Sequence, residues 1–137
     1  MHSKYLDLFK ELTRATAVAA EQVMDYDQAK NDEKGFDTAK TMRDDFEALN
    51  EKLNDKSFDG TLTKAEYAKL LVGCYVIVGN LQDRIEALRK AVAGYQSDLV
   101  PKLSKIIDAE DDESAQKIAD EQFVIETNTW QLLKIVI

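Results

Sequence analysis

Chemistry in this 137-residue chain has one obvious place to start, the stretch DKSFDGTLTKAE at residues 55–66. It is dense in oxygen-bearing side chains, and its Asp59-Gly60 step is a turn dipeptide. A hard divalent cation needs six to eight oxygens converging from such a turn. The same residues also make a plain joint between helices. Thr63 and Glu66 have the spacing of a capping box, in which the hydroxyl caps a helix and the carboxylate reaches back. Other reactive chemistry is scarce. His2 is the only histidine and sits at an end expected to fray, so His-based metal sites and Ser–His or Cys–His pairs lack their base. Cys74 lies inside an apolar run and reads as a core residue. The five glycines are scattered rather than gathered into a phosphate-cradling loop. Di-metal carboxylate sites in helical bundles recruit Glu-x-x-His pairs, and this chain has none. No enzymatic activity is expected.

Residues 55–66 resemble the calcium loop of the EF-hand family over its twelve-residue length. The resemblance implies Ca2+ held by Asp55, Ser57, Asp59, the Thr61 carbonyl, Thr63 and a bidentate Glu66. Gly60 stands at the sharp turn, Leu62 at the aliphatic position, and Tyr67, Leu70 and Leu71 follow as in the family's exit helix. Phe58 departs from the small or polar residue usual at the fourth position, Leu49 and Leu53 come about one position early, and no second loop is present to pair with the first. The ion loop and the capped joint are both open on these residues.

The elements that would position this loop are helical. Tyr5, Phe9, Leu12, Thr16, Ala19, Val23 and Tyr26 alternate three and four apart and predict a first helix over residues 3–30. A polar turn, Asn31 to Gly35, follows, with Gly35 suited to a left-handed helix stop. Ala39, Met42, Phe46, Leu49 and Leu53 predict a second helix over 37–54, folded back antiparallel and anchored by Phe36 and Phe46. From Thr63 to Ile107 two series run in heptads: Leu71, Val78, Ile85, Val92, Leu99 and Ile106, and Cys74, Leu81, Leu88 and Tyr95. They predict one long third helix, kinked or broken between Gly94 and Pro101 into two nearly collinear pieces rather than reversed, whose Leu70–Gly79 portion is apolar nearly all round and must be covered on most sides. The acidic run Asp108–Glu113 suits a helix N-terminus, and a last helix from Asp112 carries Ala115, Ile118, Ala119, Gln122, Ile125, Thr129, Leu133 and Val136 on one face. The fold class is thus all-α, an antiparallel bundle of about four helices in a single domain, residues 1–137.

Composition bounds the function. Apolar residues make up 45% and charged residues 32%, which is globular, and the formal charge is −8. That charge is repelled by a duplex or an anionic membrane, so neither direct nucleic-acid nor membrane binding is expected. No apolar run reaches the ~20 residues of a membrane span. One cysteine makes no internal disulfide, and charged residues interrupt the first helix where a signal peptide would be apolar. A cytoplasmic protein is expected. The leading reading is a non-enzymatic module acting through a protein partner or as a homo-oligomer, in the manner of adaptors, assembly chaperones, immunity proteins or inhibitors. Its contact surface would be the distal seam, Val92 to Ile106, or the apolar stretch Trp130–Ile137, which either docks on the bundle or faces a partner. The alternatives are a calcium-binding protein using residues 55–66 and an acidic blocker of a nucleic-acid-binding protein.

Overall fold

A computed structural model describes residues 3–81 and 95–124. Among these residues the chain is helical, without strands: α1 (Ser3–Ala29), α2 (Glu33–Asn54), α3 (Lys64–Leu81), a π-helical turn (Tyr95–Leu99) running into α4 (Val100–Ile107), and α5 (Asp112–Gln122). The all-α class and the antiparallel pairing of the first two helices are as the periodicity predicts.

α1 and α2 lie together along their length. Ala39, Phe46, Leu49 and Leu53 of α2 are buried at their predicted spacing, and each large side chain contributes about 1.5–3 kcal/mol by leaving water. Asn50 crosses the pair, its Nδ2 donating to the Lys10 carbonyl at 2.9 Å and to Thr13 Oγ1 at 3.0 Å. Thr13 and Thr16, both fully buried, donate their hydroxyls to the carbonyls of Phe9 and Leu12. The intervening turn differs from expectation. Asn31, not Gly35, takes the left-handed conformation (φ 59°), which its short polar side chain tolerates. Asp32 then caps α2 by accepting from the Gly35 N–H at 2.9 Å, so α2 begins four residues earlier than its apolar stripe indicates. Gly35 serves close approach instead, because a Cβ there would lie 2.6 Å from carboxylate oxygens of Asp27 and Asp32.

α3 sits over this pair. Tyr67, Leu70, Cys74 and Ile77 are buried, and a Cβ at Gly73 would come within 3.1 Å of both the Phe46 ring and the Thr16 hydroxyl. The path of the chain beyond α3 corrects the expectation of one long kinked helix. An unbroken helix over 63–107 would separate its ends by about 65 Å. Instead α4 packs alongside α3, and Lys64 at the start of α3 meets the turn that follows the C-terminal end of α4, its N–H donating to Asp112 Oδ1 at 2.7 Å and its Nζ to the Ala109 carbonyl. The heptads fail to distinguish these arrangements because a seam shared by two facing helices has the same repeat as a seam along one rod. Leu99, Leu103 and Ile106 are accordingly buried within the protein's own core, which removes the described part of the distal seam as a partner surface. The irregularity expected near Pro101 is the π turn. Proline gives no N–H to residue 97 and its ring crowds that carbonyl, and a wider turn accommodates both. The predicted seam positions Ile85, Leu88 and Val92, and the last-helix positions from Ile125 to Val136, lie outside the described residues.

α5 opens on Asp111, whose carboxylate accepts from the Ser114 N–H at 2.7 Å, so the acidic run is a helix start as expected. It ends at Gln122, and Phe123 turns into an aromatic cluster with Tyr5 and Phe9 at centroid distances of 5.0 Å and Tyr67 at 6.4 Å. One contiguous cluster of buried residues takes side chains from every helix and from Leu62 of the 55–63 loop. No helix among the described residues is long and apolar enough to cross a membrane.

Candidate functional site

The 55–66 segment joins α2 to α3 at one end of the bundle, here called the closed end. Asp55 accepts from both the Ser57 N–H (2.8 Å) and the Ser57 hydroxyl (2.7 Å), and Asp59 accepts from the Thr61 N–H (2.8 Å). These backbone donors favour ionisation and hold both carboxyls below their ordinary range. Gly60 occupies the left-handed region (φ 86°), which is why glycine stands there. Thr63 and Glu66 form the reciprocal capping box, Glu66 accepting from the Thr63 N–H at 2.9 Å and Thr63 Oγ1 from the Glu66 N–H at 3.1 Å. Glu66 also pairs with Lys52 across the joint at 2.7 Å. Burial opposes its ionisation, but Lys52 and the Thr63 N–H outweigh it and its carboxyl is held below the usual value. Of the six residues the EF-hand resemblance nominates, Asp55 with Ser57, Asp59 with Thr61, and Thr63 with Glu66 thus form three separate hydrogen-bonded pairs. Among the described residues no three His, Cys, Asp or Glu side chains gather closely enough to hold a metal ion.

Sequence patterns did not indicate the residue that fastens this end. Gln116 of α5 accepts from the Leu62 N–H (2.9 Å) and the Tyr67 hydroxyl (2.8 Å) through Oε1, while its Nε2 donates to Asp120 (2.9 Å) and the Gly60 carbonyl (3.4 Å). A glutamine on the outer half of an amphipathic helix carries no periodic signal. Beside it Tyr5 donates to Asp98 Oδ2 (3.1 Å), and Lys102 reaches the Tyr5 hydroxyl (2.8 Å) and Asp98 Oδ1 (3.0 Å). Burial works against the Lys102 ammonium, yet these two partners raise its pKa. Burial pushes the Cys74 thiol up to about 12, so it is no nucleophile near neutral pH.

The opposite end is built differently. A cleft of roughly 690 Å³ opens between the last turns of α1, the first turns of α2 and the last turns of α3. It is lined by small apolar residues (Ala19, Ala20, Ala39), by the larger Val23, Met42, Tyr75 and Val76, and by the charged Asp27, Asp32 and Lys34. Val23 is 45% exposed and Tyr75 59% exposed, with Tyr26 and Val72 also open to solvent. The expectation that the apolar start of α3 is covered on most sides thus holds for Leu70, Cys74 and Ile77 but not for Val72 and Tyr75. The volume and lining match sites that take an apolar ligand or side chains, with few polar groups to fix orientation. No protein-family model, curated protein or solved structure matches the chain.

Proposed function

We propose that the protein is a non-catalytic binding module that seats an apolar, positively charged helix of a partner protein in the α1/α2/α3 cleft. The supporting observation is the cleft's open apolar lining, the exposed Val23 and Tyr75 with Ala19, Ala20, Ala39 and Met42, beside Asp27, Asp32 and Lys34 in a chain of net charge −8. Small lining residues leave room for the side chains of an incoming helix, and exposed aromatic and aliphatic anchors at a concave site are what helix-in-groove recognition uses. Two carboxylates against one ammonium at the cleft, within a chain of net charge −8, favour a cationic over an anionic partner and speed its approach. The reading is tested with two labelled amphipathic peptides of equal length, one Leu/Lys and one Leu/Glu, titrated by fluorescence anisotropy. The cationic peptide is expected to bind, and the Val23→Ser/Tyr75→Ser double variant to lose that binding while keeping the native circular dichroism. Equal binding by both peptides, or binding indifferent to the double variant, overturns the proposal.

A further inference from the structure

We infer that the cleft receives its partner helix in one orientation, with an arginine of that helix at the α1–α2 turn and its apolar face beside Val23 and Tyr75; this rests on reading the cleft as a helix-binding site. The lining is graded in the same direction on two helices. Along α1 it passes from Ala19 through Val23 to Asp27, two turns or about 12 Å at ~1.5 Å per residue. Along α2, which runs the other way, it passes from Met42 through Ala39 back to the cap residue Asp32. Both gradients end in carboxylates at the same turn. There a smaller hollow of roughly 360 Å³ adjoins the cleft, sharing Asp27 and Asp32 with it and adding Glu33, Asp37 and the Phe36 ring. Asp27 and Asp32 converge: an Oδ2 of each lies 2.6 Å from where a Cβ on Gly35 would stand, so the two oxygens are at most twice that distance apart. Oδ1 of Asp32 is already engaged by the Gly35 N–H. Among the described residues neither carboxylate has an ion-pair partner. Lys34 shares the lining without pairing with them, and Lys30 is turned over the Tyr26 ring, 5.5 Å from its centroid. A guanidinium suits this arrangement better than an ammonium. Its donors lie in a planar fork that engages two acceptors at once, and its flat face stacks on an aromatic ring such as Phe36. At the other end of the cleft an arginine would meet Ala19, Ala20, Met42 and Val76 and lose hydration without a counter-charge.

The probe is a synthetic amphipathic helix with a leucine stripe and arginines in its last turn only, compared with the same peptide carrying lysine or the uncharged isostere citrulline there. With a nitroxide at the arginine end, the bound peptide is expected to broaden the amide signals of Gln28–Gly35 more than those of Lys69–Val72 in the full-length chain. Moving the nitroxide to the opposite end should reverse the pattern. Asp27→Asn should weaken the arginine peptide about tenfold, as the loss of a charge-assisted hydrogen bond, and leave the citrulline peptide unchanged. Asp25→Asn removes the same charge from an exposed position outside the cleft and should change neither affinity. Equal broadening of the two segments or the reverse pattern overturns the inference. So does an Asp27→Asn loss that Asp25→Asn or the citrulline peptide reproduces, or equal affinity of the lysine and arginine peptides. If the peptides bind in mixed orientation and Val23→Ser/Tyr75→Ser removes that binding, this inference fails and the binding-module reading stands. If no peptide binds, both fail.

Discussion

The two ends of the bundle use similar residues to opposite effect. At the closed end nearly every polar group near the joint has a partner: Gln116 serves Leu62, Tyr67 and Gly60, Glu66 serves Thr63 and Lys52, and Lys64 caps the α4 terminus. Beneath them Tyr5, Phe9, Tyr67 and Phe123 form a closed aromatic cluster. At the open end the same kinds of apolar side chain, Val23, Tyr26 and Tyr75, face solvent. The first helix belongs to both, and its single stripe passes from fully buried Leu12 and Thr16 to a half-exposed Val23 within three turns. Amphipathic spacing describes a helix; it does not say how far along that helix the neighbours extend. The closed aromatic cluster lies at one end and the apolar cleft at the other.

That division makes graded demands. Phe123→Ala should have the largest effect, about 3–5 kcal/mol read from the denaturant midpoint, because a fully buried ring leaves three aromatic neighbours facing a cavity. A loss below about 1 kcal/mol would break the assignment of stability to the closed end. Gln116→Ala leaves the Leu62 N–H and the Tyr67 hydroxyl without their shared acceptor and should cost about 1–3 kcal/mol in the same assay. Thr63→Ala, removing one half of the capping box, should cost about 1 kcal/mol.

Glu66 makes the closed end sensitive to acid. Its folded pKa lies below its unfolded one, as do those of Asp55, Asp59 and Asp111, so the folded state binds these protons less tightly. Their contribution is fully present above the ordinary carboxylate range and is lost as pH falls through the lower folded values. The melting temperature is therefore expected to be level near neutrality and to drop below about pH 4, with Glu66→Gln reducing the drop. Thermal melts in calcium and in chelator sharpen the role of the loop. If Glu66 serves Lys52 and the helix start alone, the two curves coincide; a shift of several degrees in calcium, lost in Glu66→Gln, would draw that carboxylate to an ion. The smallest effect belongs to the open end. Val23→Ser and Tyr75→Ser should each change stability by no more than about 0.5 kcal/mol, and a larger loss would mean those side chains hold the fold together.

The helices were legible because their apolar spacing is strong: the α2 stripe Ala39, Phe46, Leu49, Leu53 is buried at the spacing the sequence shows. Cap residues were legible where side-chain chemistry is local, as at Thr63, Glu66 and the acidic start of α5. What spacing could not supply was the direction of the chain after α3, since Leu99, Leu103 and Ile106 keep heptad phase with α3 whether they extend it or face it. Phe123 was legible in retrospect, four residues beyond Ala119 and eight beyond Ala115 on one face, but the stripe drawn through Gln122 passed beside it. Gln116 and the cleft were not legible. One depends on a polar side chain meeting a loop more than fifty residues away in sequence, the other on where three helices stop covering one another.

Cys74 has a practical consequence. It is the only thiol, wholly enclosed and reluctant to ionise, so a thiol-trapping reagent finds nothing to attack until α3 is uncovered. The labelling rate of the unmodified chain therefore counts openings of the bundle's interior. Because the residue lies beside Gly73, whose missing Cβ leaves room for the Phe46 ring and the Thr16 hydroxyl, that count registers separation of α3 from α1 and α2.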